Sequence, residues 1–337
     1  MFFYLNSNKM FFMFILFIST LISLSSNSWF GCWIGLEINL LSFIPLISNS
    51  NNLNSNEASL KYFLIQSIAS INFLFIILFK MIMMKNYFFN NMFSIMLNSS
   101  LLMKMGSAPF HFWFPNIISN MTWFNNFILM TWQKISPMIL ISYFFNKNFL
   151  IIISIINSMI GAISGFNQTS LRKILAFSSI NNLSWMIISM MISDNLLMLY
   201  FFSYSFFIFI MCFLFNMINM FFINQLFIFN MNSLIKFSLF INLLSLGGLP
   251  PFFGFFPKWI IINFLMNNFF IIITFIFIMM SLILLFFYIR IFFSSFLLNY
   301  FKMKWMIFFF KNNNFNFIYL FNLFSIFGMI FMIYLFF

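Results

Sequence analysis

Glu37, Lys104, Lys134 and Lys258 each lie inside a long apolar run, in a chain that has only three acids and fifteen basic residues. A charge at the bilayer centre costs roughly 2.5–3.5 kcal/mol, so four of them oppose insertion by about 10 kcal/mol before pairing or hydration offsets it. Ionisable groups placed at that cost point to proton or ion movement. Burial disfavours the ammonium of a lysine, while a neighbouring carboxylate or enclosed water restores it, so a buried lysine can load and unload a proton near neutral pH. Glu37 is the one acid in such a run and the natural counter-ion for one of the lysines; helix spacing alone does not say which. A static ion pair locking two helices is the alternative, although Lys134 and Lys258 then lack acids of their own. His111, between Phe110 and Phe112, is either a proton relay or a satisfied structural donor. Asp194 reads as solvated, and Trp113, Trp123, Trp132 and Trp185 read as interface or packing aromatics.

The elements that must position these groups are membrane helices. With 337 residues, 64% hydrophobic and 5% charged, and a mean hydropathy of +1.07, the chain has too little polar surface to cover a soluble core. Its apolar runs are each about 20 residues or longer, enough for a helix to cross roughly 30 Å of hydrocarbon, and they lack the alternation of barrel strands. The expectation is an all-α polytopic membrane protein forming one domain over 1–337, with about eleven spans: 9–26, 28–48, 60–84, 92–118, 124–145, 149–167, 172–192, 196–221, 235–266, 269–290 and 317–337. The first run continues past Lys9 to Ser26 without a small-residue cleavage site, so it reads as a mature helix. Cys32 and Cys212 are too few and too apolar in setting for an iron–sulfur or zinc site, and no phosphate-cradling glycine motif occurs, so no cofactor is expected in this chain. The net charge of +12 is dispersed between apolar spans, which excludes a nucleic-acid partner and leaves membrane lipid. Sixty-four phenylalanines, abundant Ile and Asn, and no valine fit codon bias in an AT-rich organellar genome.

Taken alternately, the connections on the side of the N-terminus collect Lys9, Lys61, Arg172, Lys173, Lys236, Arg290, Lys302, Lys304 and Lys311, and the others collect Lys80, Lys85 and Lys147. The positive-inside rule then predicts a matrix-side N-terminus and, after eleven crossings, a C-terminus in the intermembrane space. The basic and aromatic segment from Arg290 to Lys311 reads either as an interfacial helix or as a solvated loop.

Spans four and nine are long and carry one pattern. Gly106-Ser-Ala-Pro109-Phe110-His-Phe-Trp-Phe114-Pro115 and Gly248-Leu-Pro-Pro251-Phe252-Phe-Gly-Phe-Phe256-Pro257 both fit G-x-x-P-F-x-x-x-F-P, in a chain with only nine glycines and seven prolines. This predicts two broken helices in two inverted five-helix repeats, the sequence pointer to a transporter's ion site. Proline frees the carbonyl four residues back. Pro109 and Pro137 should release Met105 and Gln133, beside Lys104 and Lys134, and Pro257 precedes Lys258; a hydrated polar track is expected there. Lys258 lies about 22 residues beyond Lys236, past the second break, and is expected on the exit side.

At these residues the sequence resembles the mitochondrial NADH dehydrogenase subunit 2 family, antiporter-like subunits of respiratory complex I, in its insect form. The matching stretches run in order: Trp33 to Asn39, Lys104 to Trp113, Thr131 to Pro137, Leu171 to Ile180 and Leu246 to Trp259. The resemblance implies an eleven-helix subunit in which Glu37 and Lys104 form a charge pair, Lys134 is the central lysine and Lys258 lies near the intermembrane-space exit. It also implies that NADH, FMN, iron–sulfur clusters and ubiquinone belong to other subunits, and that the partners are membrane-arm subunits, among them 4L and 4, and accessory subunits. Asn182 departs from the family, which often has a histidine there; an amide hydrogen-bonds but does not titrate. A self-contained cation/proton antiporter and a structural subunit without its own proton path are the rival readings. A coupling-ion site usually adds a carboxylate cluster, and only Glu37 is available, which places the antiporter second.

Overall fold

The computed structural model describes residues 7–49, 51–83, 90–228, 233–297 and 320–329. Every extended element among them is a helix, and the one β-bridge joins Ser170 to Phe222. Among the described residues seven helices are long and apolar enough to cross a membrane, so the chain is a multi-pass membrane protein. Compactness divides it into two units, 1–153 and 154–337.

The first unit holds α1 (Ser7–Ser25), α2 (Trp29–Ile47), α3 (Leu53–Met83), α4 (Asn90–Met105), α5 (Trp113–Asn120), α6 (Trp123–Met130) and α7 (Trp132–Tyr143). Ser28 caps α2 by accepting from the Gly31 amide at 3.1 Å, satisfying one of the donors a helix start leaves open. Gly35 sets the approach of α1 and α2, since a Cβ there would lie 2.7 Å from the Ser23 amide nitrogen. α3 begins seven residues earlier than the expected span, and in this added stretch Glu57 pairs with Lys61 one turn on, on the exposed face. Exposed pairs of this kind contribute little. Lys61→Met is expected to move the melting temperature of the assembled protein by no more than about 1 °C; a larger drop in a thermal-inactivation series would show that the pair holds more than its own turn.

α8 (Lys147–Phe166) leads into the second unit, which holds α9 (Leu171–Ile192), α10 (Asp194–Ile218), α11 (Ile223–Ile228), α12 (Ser233–Gly247), α13 (Phe255–Asn267), α14 (Ile271–Leu297) and a further helix, Leu320–Met329. Asp194 is exposed in the first turn of α10, where its charge suits the helix N-terminus. α9 is the core helix: every residue from Ile174 to Met190 is buried. It tolerates its serines because the Ser178, Ser179, Ser184 and Ser189 hydroxyls each donate to the carbonyl three residues back, leaving no hydroxyl to be satisfied by lipid. The long apolar α14 instead exposes Ile272, Phe275, Leu282 and Phe286, a face suited to hydrocarbon.

Two features differ from the sequence expectations, and a third decides between alternatives they left open. The span expected over 124–145 is interrupted at Thr131, whose amide and hydroxyl both donate to the Phe127 carbonyl, at 3.0 and 2.7 Å. Lys236, assigned to a basic connection, is buried in α12 and only 6% exposed. Trp123 and Trp185 are core residues, 2% and 1% exposed, so both are packing aromatics. The expected interfacial segment from Arg290 to Lys311 lies, beyond Leu297, outside the described residues, as do parts of the last expected span.

Candidate functional site: buried lysines at two broken helices

The two motif copies break their helices in the same register. α4 ends one residue before Gly106 and α5 starts seven after it; α12 ends one residue before Gly248 and α13 starts seven after it. Each glycine has a left-handed φ, +71° at Gly106 and +83° at Gly248, a conformation that disfavours any side chain. Each closes its helix by a Schellman arrangement: the Ser107 amide donates to the Leu102 carbonyl at 3.1 Å, and the Leu249 amide to the Leu244 carbonyl at 3.2 Å. Each also leaves room for a site group. A Cβ on Gly106 would lie 2.9 Å from Phe114 Cβ, and one on Gly248 would lie 2.9 Å from Lys258 Cδ.

A helix C-terminus presents unpaired carbonyls and the negative end of the macrodipole, which favours a cation. Both units place a lysine there by different routes. Lys104 is in the last turn of α4 itself. Lys258 belongs to α13 and reaches back across the break, donating to the Gly247 carbonyl at 2.8 Å and approaching the Leu246 carbonyl at 3.5 Å. Its acceptors are thus the end of α12 and not a carbonyl freed by Pro257. The ammonium also lies 5.8 Å from the Trp185 ring centroid, within cation–π range.

In the first unit a small cavity of about 10 Å³, room for about one water, is lined in part by Asn39 of α2, Tyr62 and Gln66 of α3, Lys104 of α4, and Gln133 and Ser136 of α7. Gln66 donates to the Lys104 carbonyl at 3.0 Å and Gln133 to the Asn39 side-chain oxygen at 2.8 Å. Apart from Leu36, Leu40 and Pro137 the lining is polar, with Lys104 its charged member, so it can orient water without a fixed counter-charge. Glu37, half-buried on α2, acts electrostatically on Lys104, yet among the described residues no ion pair within 4.0 Å joins them. Lys134, 1% exposed, sits 5.1 Å from the Phe114 ring centroid. His111, 8% exposed, lies in the first break with Nδ1 3.3 Å from the Pro109 carbonyl and its ring against Phe112.

The structure therefore gathers Lys104 with the turn of α7 that contains Lys134, and sets Glu37 within electrostatic range of Lys104. It adds groups that charge-counting passed over: Asn39, Gln66 and Gln133 here, and Asn182, Tyr200 and Tyr204 around Lys258. Their signal was present as amides and phenols inside apolar spans. Among the described residues no cluster of three His, Cys, Asp or Glu side chains forms a metal site.

Comparison with known proteins gives a consistent result. Residues 26–284 match the family described as NADH:quinone oxidoreductase/Mrp antiporter, TM. NADH-ubiquinone oxidoreductase chain 2 of Anopheles gambiae is 49% identical over 316 residues, covering 92% of this chain and 91% of that one. The Aedes aegypti protein of the same name is 48% identical over 331 residues, 96% of each. Among solved structures, a chain of respiratory complex I from Thermus thermophilus superposes with a TM-score of 0.77 at 18% identity, over 86% of this chain and 71% of that one. A chain of the Mrp complex from a Dietzia species gives 0.75 at 14% identity, over 85% and 60%. At those identities the structural likeness concerns the fold alone.

Proposed function

The chain belongs to the NADH-ubiquinone oxidoreductase chain 2 family, and from that premise we propose that it is a proton-translocating membrane-arm subunit of NADH:ubiquinone oxidoreductase in the mitochondrial inner membrane. The observation that carries this reading is the pair of broken helices, each with a buried lysine at the break: Lys104 in the last turn of α4, and Lys258 donating from α13 to the last carbonyls of α12. An ammonium held by carbonyls and amides keeps its charge only while those dipoles and enclosed water favour it, so a change in nearby charge can load or empty it.

In this reading Glu37, Lys104, Lys134 and Lys258 form the proton path, with His111 as a possible relay within the first break. The loading of one site alters its neighbour electrostatically, and redox chemistry in other subunits drives the sequence. Moving one proton against 100 mV costs about 2.3 kcal/mol. An isolated chain without energy input can only leak or exchange protons, so pumping requires partners, here proposed as membrane-arm subunits 4L and 4 and accessory subunits. NADH, FMN, the iron–sulfur clusters and ubiquinone are assigned to other subunits. The proposal includes eleven crossings, two inverted five-helix repeats within one antiporter-like domain, a matrix N-terminus and an intermembrane-space C-terminus.

The test is proton uptake by the complex reconstituted in sealed vesicles. Lys134→Met should lower the number of protons moved per NADH oxidised while the complex still assembles. A wild-type ratio in assembled Lys134→Met complex would leave a structural role for this chain as the better reading.

A further inference from the structure

Around Lys258 the second unit contains polar groups that the charge chain does not use. Asn182 of α9 and Tyr200, Ser203 and Tyr204 of α10 line one cavity with Ser245 and Lys258. Asn182, Tyr200 and Tyr204 are each 3% exposed, so their polar atoms must find partners among themselves, the cavity and any water in it. The Tyr200 hydroxyl donates to the Asn182 side-chain oxygen at 3.0 Å. Tyr204 meets the Ser179 side chain, and Tyr288 of α14 lies within electrostatic range of both tyrosines.

A phenol has one proton to donate, and its oxygen accepts through its lone pairs. With that proton committed to the Asn182 carbonyl oxygen, Tyr200 has only acceptor capacity left for the cavity. In this orientation it favours an ammonium on Lys258, directly or through one water. A neutral amine needs a donor instead, and Tyr200 can supply one only by turning its hydroxyl off Asn182. The amide of Asn182 cannot pass a proton onward, so the pair cannot act as a wire; it can act as a bias.

We propose that Asn182 and Tyr200 are a positioning pair that sets the charge state of Lys258. With the Tyr200 hydroxyl on Asn182, the pair supports the loaded ammonium; with the hydroxyl turned into the cavity, it supports the unloaded amine. Unloading breaks one N–H bond of the ammonium. Its proton leaves to a cavity water and the electron pair stays on Nζ, where the rotated Tyr200 hydroxyl then donates. Of the other hydroxyls lining the cavity, Ser203 and Ser245 donate to the Tyr200 and Asn242 carbonyls of their own helices, and Tyr204 meets Ser179. The α12 carbonyls accept only, and Trp185 presents its ring. Tyr204, Tyr288 and Cys212 are the further buried titratable groups on α10 and α14. The charged residues of the packed helices are Asp194 at the start of α10, Arg172 and Lys173 at the start of α9, Lys236 near the start of α12 and Arg290 near the end of α14.

This inference rests on the proposed proton-path role of Lys258, and its test separates the two. A hydrogen bond to a charged group is large enough that its loss should change the loaded-to-unloaded ratio of Lys258 about tenfold or more. In the assembled, reconstituted complex, Tyr200→Phe and Asn182→Leu should both lower the proton-to-electron ratio, and Asn182→Gln should restore most of it. Infrared difference spectra of ring-labelled tyrosine, taken between resting and turning-over complex, should show a phenol C–O band that disappears in Tyr200→Phe and in Lys258→Met. If Lys258→Met pumps normally, the proton-path reading fails. If Lys258→Met loses pumping while Tyr200→Phe keeps both the wild-type ratio and the band, the positioning pair alone is wrong. Should Tyr200→Phe not assemble, the Asn182→Leu and Asn182→Gln pair decides: equal wild-type ratios in both overturn the proposal.

Discussion

Gly254→Ala should abolish or sharply reduce assembly of the protein, although it adds only a single methyl group. A Cβ at Gly254 would overlap the Ser245 carbonyl oxygen and lie 2.7 Å from the Ser245 carbonyl carbon. Both are backbone atoms of α12, so no rotamer change relieves the overlap and the break itself must move. Overpacking a tight interior typically costs 1–3 kcal/mol, and an immovable backbone neighbour places this case at about 3 kcal/mol or more. Ser245 immediately precedes Leu246 and Gly247, whose carbonyls face Lys258, so any complex that does form should hold that lysine poorly. Gly247→Ala is the control. Its Cβ would overlap the tip of Leu285, a side chain that can rotate away, so its effect should be smaller. The amount of intact complex on native gels, with thermal inactivation of what assembles, measures both; wild-type levels for Gly254→Ala would show that the break is softer than its packing indicates.

The broken helices were legible in the sequence because Gly and Pro are rare in this chain and recur at one spacing. Helix continuity is what lipid enforces, and these two residues are the ones that defeat it locally. The interruption at Thr131 was not legible. It has no adjacent Gly or Pro, and arises where a threonine hydroxyl competes for the same carbonyl as its own amide. The depth of Lys236 was hidden for a related reason: charge counting assigns a lysine near a helix end to solvent, whereas here it is buried and lines a cavity with Phe215 of α10 and Ile291 of α14. The four intramembrane charges could be picked out by their cost, but their partners could not. Lys258 is held by carbonyls eleven and twelve residues back, a relation fixed by how the chain folds over Gly248. The amides of Asn39, Gln66 and Gln133 carry no charge to draw attention, and only the packing of α2, α3, α4 and α7 brings them to one cavity.

Lys258→Met is expected to depress proton pumping coupled to NADH oxidation, while NADH oxidation with an artificial acceptor continues. The substitution keeps an unbranched side chain of similar length over Gly248 and removes the ammonium. Two carbonyls at the end of α12 lose a donor, but no unpaired charge is left buried, and that uncompensated charge is what makes breaking a buried pair severe. Assembly should therefore survive, and the loss should fall on proton transfer. The position of the group fits the exit role proposed for it. The fifteen residues of α12 rise about 22 Å at 1.5 Å per residue, against a hydrocarbon core of roughly 30 Å. An ammonium bonded to the last carbonyls of that helix therefore sits near its far end, displaced from Lys236 at the other. On the proposed orientation that displacement is toward the intermembrane space, so Lys258 should exchange protons with that face. Proton-to-electron ratios in sealed vesicles, alongside ferricyanide reduction by the same preparation, give the two readouts; an unchanged ratio in assembled Lys258→Met complex would remove this residue from the path.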